Sequence, residues 1–450
     1  MKRLLAAVLA EVFLTALFAG CGEKKLEPLR VCVDVDGIRS TEQTCENLMN
    51  GFLDTLALMG GPDDIELELV PEKGAARKNA LTRIRTEMMS GKGPDVFIVQ
   101  CGTMSDWEVL FPMPEKTMRS GAFLSLDTYI ENAQYMEWEK LTPVVMAAGR
   151  DEYGQQLLPL TYTLPLTFYR EADTGGRKPG VETTWEDMLA DETGVLTTAA
   201  TWFHVQEGEF HFYGVGDHYL EHALGAVADY DNEQLLFTEE ELLQRTTEVL
   251  ALRDAYDSGM YDNVPAHYQS PIHIGIDYPD TQITDRIHIE KGETYHLSRR
   301  GIQHAEKKTM VPIYADDGGT TASVTSFAAI NANTKRAEDA FFVLDVLMDL
   351  EHQKSFDLYE YYLAGDRRGI PVHEDLLQES CPIGICYLTD DNYAEFVRVR
   401  EQITHVRFED ALAGTMDEMF YACERTSRND EDFSPIVSEY YGRMKQMMAE

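Results

Sequence analysis

The strongest constraint on this chain is the alternation of apolar patterns between residues 29 and 100. Leu29 to Val35 reads as a buried strand. Ser40 with Gln43 offers a capping box for a helix whose apolar stripe is Cys45, Leu48, Met49, Phe52, Leu56 and Met59, and Gly60-Gly61-Pro62 stops it. Ile65 to Val70 alternates as a strand, Ala75 to Ser90 carries Leu81, Ile84 and Met88 on one helical face, and Val96 to Val99 is again a buried strand. This β-α-β-α-β order predicts an α/β lobe with a largely parallel sheet. Ligands of such sheets lie outside the carboxyl ends of the strands, so the loops after Val35 and Val99 are the places to look for a site.

Further along, Thr184-Trp185-Glu186-Asp187-Met188-Leu189 starts a helix. Phe237, Thr238, Glu241 and Leu242 have the spacing of a hydrophobic staple plus capping box for a long helix to about Ser258. Its inner face is Leu242, Val249, Leu250 and Tyr256, and Gln269 to Val311 shows only weak periodicity. Ser326 to Asn331 is strand-like and precedes a helix with Ala340, Phe341, Leu344, Leu347 and Met348. Three helical stretches follow Gly369-Ile370-Pro371, the last near Ser434-Pro435 with serine as cap and proline in the first turn.

The N-terminus adds a location. Lys2 and Arg3 form a positive start, Leu4 to Leu17 is apolar apart from Glu11 and Thr15, and Ala19-Gly20 precede Cys21. The run is too short and interrupted for a membrane span, which needs roughly 20 apolar residues. Leu17-Phe18-Ala19-Gly20-Cys21 resembles a bacterial lipobox, with Phe18 where leucine is usual. It implies that residues 1–20 are a lipoprotein signal, that Cys21 is lipidated, and that residues 21–28 tether an extracytoplasmic domain to the cell membrane. The alternatives are an ordinary cleaved signal or a buried N-terminal helix. A net charge of −39 argues against nucleic acid, whose phosphates such a chain would repel. Cys381 and Cys386 could close a short loop in an oxidising compartment, though a free buried thiol is the equal alternative at every cysteine, and no Cys-x2-Cys zinc spacing occurs.

Three later segments, in order, resemble the extracellular solute-binding proteins (family 1, sugar-type) of bacterial ABC importers. They are Leu81 to Phe97 with its Gly91-Lys92-Gly93-Pro94-Asp95 turn; Tyr153 to Leu160 followed by Leu166 to Arg170 and Thr184-Trp185-Glu186-Asp187-Met188; and Ala328 to Thr334 with the helix Glu338 to Asp349. The family's glycine-rich ligand loop is represented only by Asp316-Asp317-Gly318-Gly319-Thr320, and the tail beyond about residue 380 matches nothing in the pattern. The resemblance implies a two-lobe architecture, the periplasmic-binding-protein-like fold of type II, with a hinge and a ligand cleft between α/β lobes. Residues 28–162 plus 328–362 would form the first lobe, and 166–325 plus 366–450 the second with its C-terminal helices. It also implies a monomer that captures a carbohydrate, an oligosaccharide above all, and hands it to a membrane permease without bond making.

A sugar needs aromatics for its C–H faces and bidentate polar groups for its hydroxyls. Asp36 and Arg39 after the first strand, Gln100, Asp106 and Trp107 after the third, Tyr162 at the hinge, and Trp202 from the second lobe combine that chemistry with an expected cleft position. Each has a structural alternative: Asp36 and Asp106 as caps, Trp107 and Trp202 as core. Trp138 and Trp185 read as structural. His204, His211, His218 and His222 crowd one region, but their order lacks the His-Glu-x-x-His of a metalloprotease, so no metal or catalytic residue is expected. The Tyr359-Glu360-Tyr361-Tyr362 run reads as helix packing. Two alternatives stay open: the same fold taking a peptide, polyamine or metal complex, and an exported glycoside hydrolase using paired carboxylates.

Overall fold

The apolar runs and stripes at the start of the chain become β1 (Leu29–Asp34), α1 (Glu42–Leu58), β2 (Ile65–Leu69), α2 (Gly74–Met89) and β3 (Val96–Gln100), in the predicted order. This computed structural model describes residues 27–34, 42–71, 74–101, 109–164, 166–169, 203–206, 209–212, 220, 224–257, 309–312, 314–315, 318–351, 370–377 and 390–449. After α3 (Pro114–Arg119) come β4 (Leu157–Thr163), β5 (Leu166–Tyr169), α4 (Glu239–Asp257), β6 (Thr309–Pro312), β7 (Thr320–Ile330), α5 (Ala337–Leu347), β8 (Ile370–Pro371), α6 (Asp390–Arg400), β9 (Ile403–Phe408), α7 (Ala411–Ser427) and α8 (Ser434–Ala449).

One seven-stranded sheet runs β8-β4-β7-β3-β1-β2, with β9 also paired to β7. β1 is parallel to both β2 and β3, with Leu29 opposite Ile65 and Val31 opposite Val96. β7 runs antiparallel to β3 and to β4. Therefore β1, β2, β3 and β4 all point the same way and end on one edge. The near-continuous burial of β1 and β3 reflects cover on both faces, as inner parallel strands require.

Two large hydrophobic cores lie among the described residues. The first holds Val31, Phe97, Phe123, Leu157, Phe327 and Leu344, and its phenylalanine rings meet edge to face, Phe97 on Phe111 at 5.2 Å and Phe327 on Phe408 at 5.5 Å. The second holds Leu220, Phe237, Leu242, Val249 and Leu250 with Met416, Met419, Val437 and Met444.

The tail is divided between them. Phe396, Val399, Ile403 and Phe408 belong to the first core, whereas Leu412 to Met448 belong to the second. The strand β9 is not legible in the sequence; it is the parallel neighbour of β7, with Thr321 opposite His405 and Val324 opposite Phe408.

The predicted cap on α4 is present: the Thr238 N–H donates to Glu241 Oε2 at 2.7 Å and the Glu241 N–H to Thr238 Oγ1 at 3.2 Å. At α8, Ser434 lies within the first turn, and Asp432 accepts its N–H at 2.9 Å and its Oγ–H at 2.7 Å. Asp432 thus does what the sequence assigns to Ser434. Among the described residues no helix is long and apolar enough to cross a membrane. Cys32, Cys101 and Cys423 are buried and form no disulfide, while Cys381 and Cys386 lie outside the described residues.

Candidate functional site

The edge where β1, β3 and β4 end is built around one buried ion pair. Asp34, the last residue of β1, receives both terminal nitrogens of Arg77 from α2, at 2.7 and 3.1 Å. Arg77 is 6% exposed and Asp34 3%, so each charge needs the other. Asp34 Oδ2 also accepts the Leu110 N–H at 3.2 Å, and Arg85 donates to the carbonyls of Val109 and Leu110. Burial pushes the Asp34 carboxyl above its usual range, with the Arg77 guanidinium pulling the other way. The end of β1 and the segment beginning at Val109 are thereby fixed to α2.

Beside this clamp lies a floor of buried hydroxyls where β4 and β7 cross. Thr161 Oγ1 shares hydrogen bonds with Thr325 Oγ1 at 2.7 Å and Ser326 Oγ at 2.5 Å, and Thr163 Oγ1 donates to the Ser323 carbonyl at 3.5 Å. The pairing with β4 shifts register between Ser326 and Phe327, which bends the ladder at this point. Gln100, half-buried at the end of β3, stands opposite Ser326, and the next N–H, that of Cys101, donates to the Thr325 carbonyl at 2.8 Å. The hydroxyls and the ion pair are buried and bonded to one another, so they shape this edge, and Gln100 is the half-buried polar side chain on it. Among the described residues no group of three or more His, Cys, Asp or Glu could hold a metal ion.

The predicted site residues divide sharply. Gln100 is at the expected edge. Tyr162 is fully buried in the first core, so its ring is not available to a solute in this conformation. The reason is its place in β4, covered by β7 on one side and paired with Ile370 of β8 on the other. Burial pushes its phenol up to about 12, the nearby Arg400 guanidinium working in the opposite sense. Asp36, Arg39, Asp106, Trp107, Trp202 and Cys21 lie outside the described residues. His204 and His211 face each other in register across a hairpin, while His218, His222 and the Tyr359 to Tyr362 run lie outside the described residues.

Asp34, Arg77 and the Thr/Ser floor are absent from the sequence reading. One signal was there: a carboxylate closing an otherwise apolar strand has to be paired.

The expected ligand loop also reads differently. Gly318 takes a left-handed turn at φ +84°, and Gly319 packs so closely on β9 that a Cβ would fall 1.8 Å from Thr404 Oγ1. Gly318 thus serves the turn and Gly319 the packing on β9.

No family model matches the chain, and no curated protein sequence matches it. Solved structures do. An extracellular solute-binding protein of family 1 from Alicyclobacillus acidocaldarius superposes with a TM-score of 0.54 at 13% identity, covering 94% of this chain and 98% of that one. A periplasmic oligogalacturonide binding protein from Yersinia enterocolitica gives 0.55 at 12% identity, with 94% and 98% covered. An ABC substrate-binding protein from Listeria monocytogenes, in complex with cycloalternan, gives 0.51 at 12% identity, with 94% and 99% covered. The chain has the periplasmic-binding-protein-like α/β fold that the resemblance implies.

Proposed function

We propose that this chain is an extracellular solute-binding protein of the sugar-type family, tethered to the cell membrane through Cys21, which captures an oligosaccharide and presents it to an ABC permease. The observation that carries this reading is the whole-length likeness to carbohydrate-binding proteins, covering 94% of this chain in the oligogalacturonide and cycloalternan examples. The edge at Asp34, Gln100 and Thr163 would form the first-lobe side of the cleft. Asp36, Arg39, Asp106 and Trp107, which continue from β1 and β3, together with Trp202, would contribute the stacking and hydrogen bonding. Capture works by preferential binding to the closed arrangement of lobes, so no bond is made or broken.

A thermal-shift screen tests it. A ligand that binds only the folded state adds RT ln(1 + [L]/Kd), about 2.7 kcal/mol at a hundredfold excess over Kd. Oligosaccharides should raise the melting temperature by several degrees, and peptides, polyamines and metal salts should not. Silence across an oligosaccharide panel, or a response confined to another class, would sink the carbohydrate reading. Release of product from a chromogenic glycoside would sink the non-catalytic one.

A further inference from the structure

The short helix α3 has two faces, and they serve different cores. Pro114 and Met118, four residues apart, are buried, and Met118 belongs to the first core. Met113, Lys116 and Arg119, spaced by three, stand on the other face. Met113 packs on the second core. The Lys116 ammonium donates to the carbonyls of Met448 at 2.8 Å and Met447 at 3.3 Å, in the last turn of α8. Arg119 pairs with Asp231, in a turn whose neighbours Val227, Ala228 and Tyr230 also belong to the second core or pack on it.

Both partners suit the task. The last carbonyls of a helix have no donor within it, and that end carries the negative pole of the helix dipole. Lys116 supplies donors and a positive charge there from the first core. Asp231 is presented by a turn that Asp229 fixes, accepting the N–H groups of Asp231 and Asn232, both at 3.0 Å. A third tie joins the start of α7 to the chain entering α3, where the Ala411 N–H donates to the Pro112 carbonyl at 2.8 Å. These ties lie on the side of the candidate cleft. Asp34, at the carboxyl end of β1, accepts the Leu110 N–H at 3.2 Å, so the approach to α3 starts from that edge. The Glu409 N–H, one residue before the cap of α7, donates to the Val324 carbonyl at 3.0 Å, next to the bond from Cys101 to Thr325. Contacts that join two lobes on the side of their cleft form as it shuts and break as it opens.

We infer that α3 clasps the second lobe, and that Lys116 and Arg119 are positioning residues which favour the closed arrangement and so set the affinity for the solute without touching it. The inference rests on the two-lobe, solute-capturing reading above. It also gives the tail a task, because α8 supplies the second-lobe half of the clasp. A receptor whose competent form is populated for only a fraction of the time binds with its affinity reduced by that fraction. Ties made on closure therefore raise affinity from a distance.

The test reads the lobes first and the solute second. Spin labels on non-canonical residues at Asn79 of α2 and Glu240 of α4, both exposed, report the distance between lobes in the full-length protein without solute, by pulsed electron paramagnetic resonance. Lys116→Met combined with Arg119→Gln should move the distribution to longer distances. Lys116→Arg, which still offers donors to α8, should leave it in place. Whichever of maltotetraose, cellotetraose and mannotetraose raises the melting temperature of the wild type should bind the double variant about fivefold more weakly, the scale of one helix-end cation plus one partly exposed ion pair. A folded double variant with the wild-type distribution, with shorter distances, or with unchanged affinity would overturn the clasp. Should the double variant not fold, Arg119→Gln alone, a change at the surface, is read by the same criteria. If no oligosaccharide binds, the carbohydrate reading fails, whereas the distance measurement still decides the clasp.

Discussion

A guanidinium that leaves water must find a carboxylate, and Arg77 finds Asp34 at the end of the first strand. The pair costs desolvation on both sides, so its net value is small; what is large is the penalty for removing one member. Arg77→Met should destabilise the protein by about 3–5 kcal/mol, because Asp34 would keep a buried charge with no counterion. The double change Arg77→Met with Asp34→Leu should recover most of that loss. Urea denaturation of both variants checks this, and equal losses in single and double variants would contradict it. The apolar run that ends at Asp34 was legible as a strand, but Arg77 was not legible as its partner. Nothing local links position 34 to position 77; only the packing of α2 over β1 joins them. Tyr162 is the reverse case. An aromatic at a hinge looks like a ligand platform, but the strand carrying it is enclosed by neighbours drawn from far along the chain.

At the scale of elements, strongly periodic segments were readable and strands made by tertiary pairing were not. The α4 capping box and the three C-terminal helices follow from local chemistry. β9 does not: Ile403-Thr404-His405-Val406-Arg407-Phe408 mixes polar and apolar residues, and becomes a strand because β7 offers it a parallel edge. β7 itself begins six residues before its apolar stretch at Ser326, since Thr320 to Thr325 bury their hydroxyl-bearing side chains among neighbouring strands. The contact between Gly319 and Thr404 belongs to this pairing. Gly319→Ala should cost about 1–3 kcal/mol, the usual range for overpacking, and leave the secondary structure intact by circular dichroism. Gly319→Ala combined with Thr404→Gly should restore stability. A neutral single substitution would mean that β9 moves freely.

Across the whole molecule the two cores meet around α3. Met118 lies in the first core and Met113 packs on the second, while Arg119 pairs with Asp231 and Tyr230 donates to Asp410, which caps α7. Glu115 sits half-buried in this junction. Burial and the charge of Asp410 push its carboxyl up to about 8, against the pull of Arg119 and Arg407. The folded protein therefore keeps a proton that the unfolded chain sheds above pH 4.5. The associated stability is complete below that pH and is lost as pH rises towards about 8. Glu115→Gln should flatten this part of the profile, and urea midpoints from pH 5 to 9 would reveal it; an unchanged slope would remove Glu115 from the account.

The central strand β7 has one more consequence. Its hydrogen-bonding partners β3 and β4 are finished early in synthesis and β9 late, and β4 and β9 reach the sheet of β1, β2 and β3 only through β7. A nascent chain ending before residue 320 holds β2-β1-β3 with an open edge at β3 and β4 without its sheet partners. Such long-range closure is slow. Under the proposed export of this chain, delay of this kind would be an asset: the topology postpones completion of the first core until most of the polypeptide has been made, leaving the leading segments pliable.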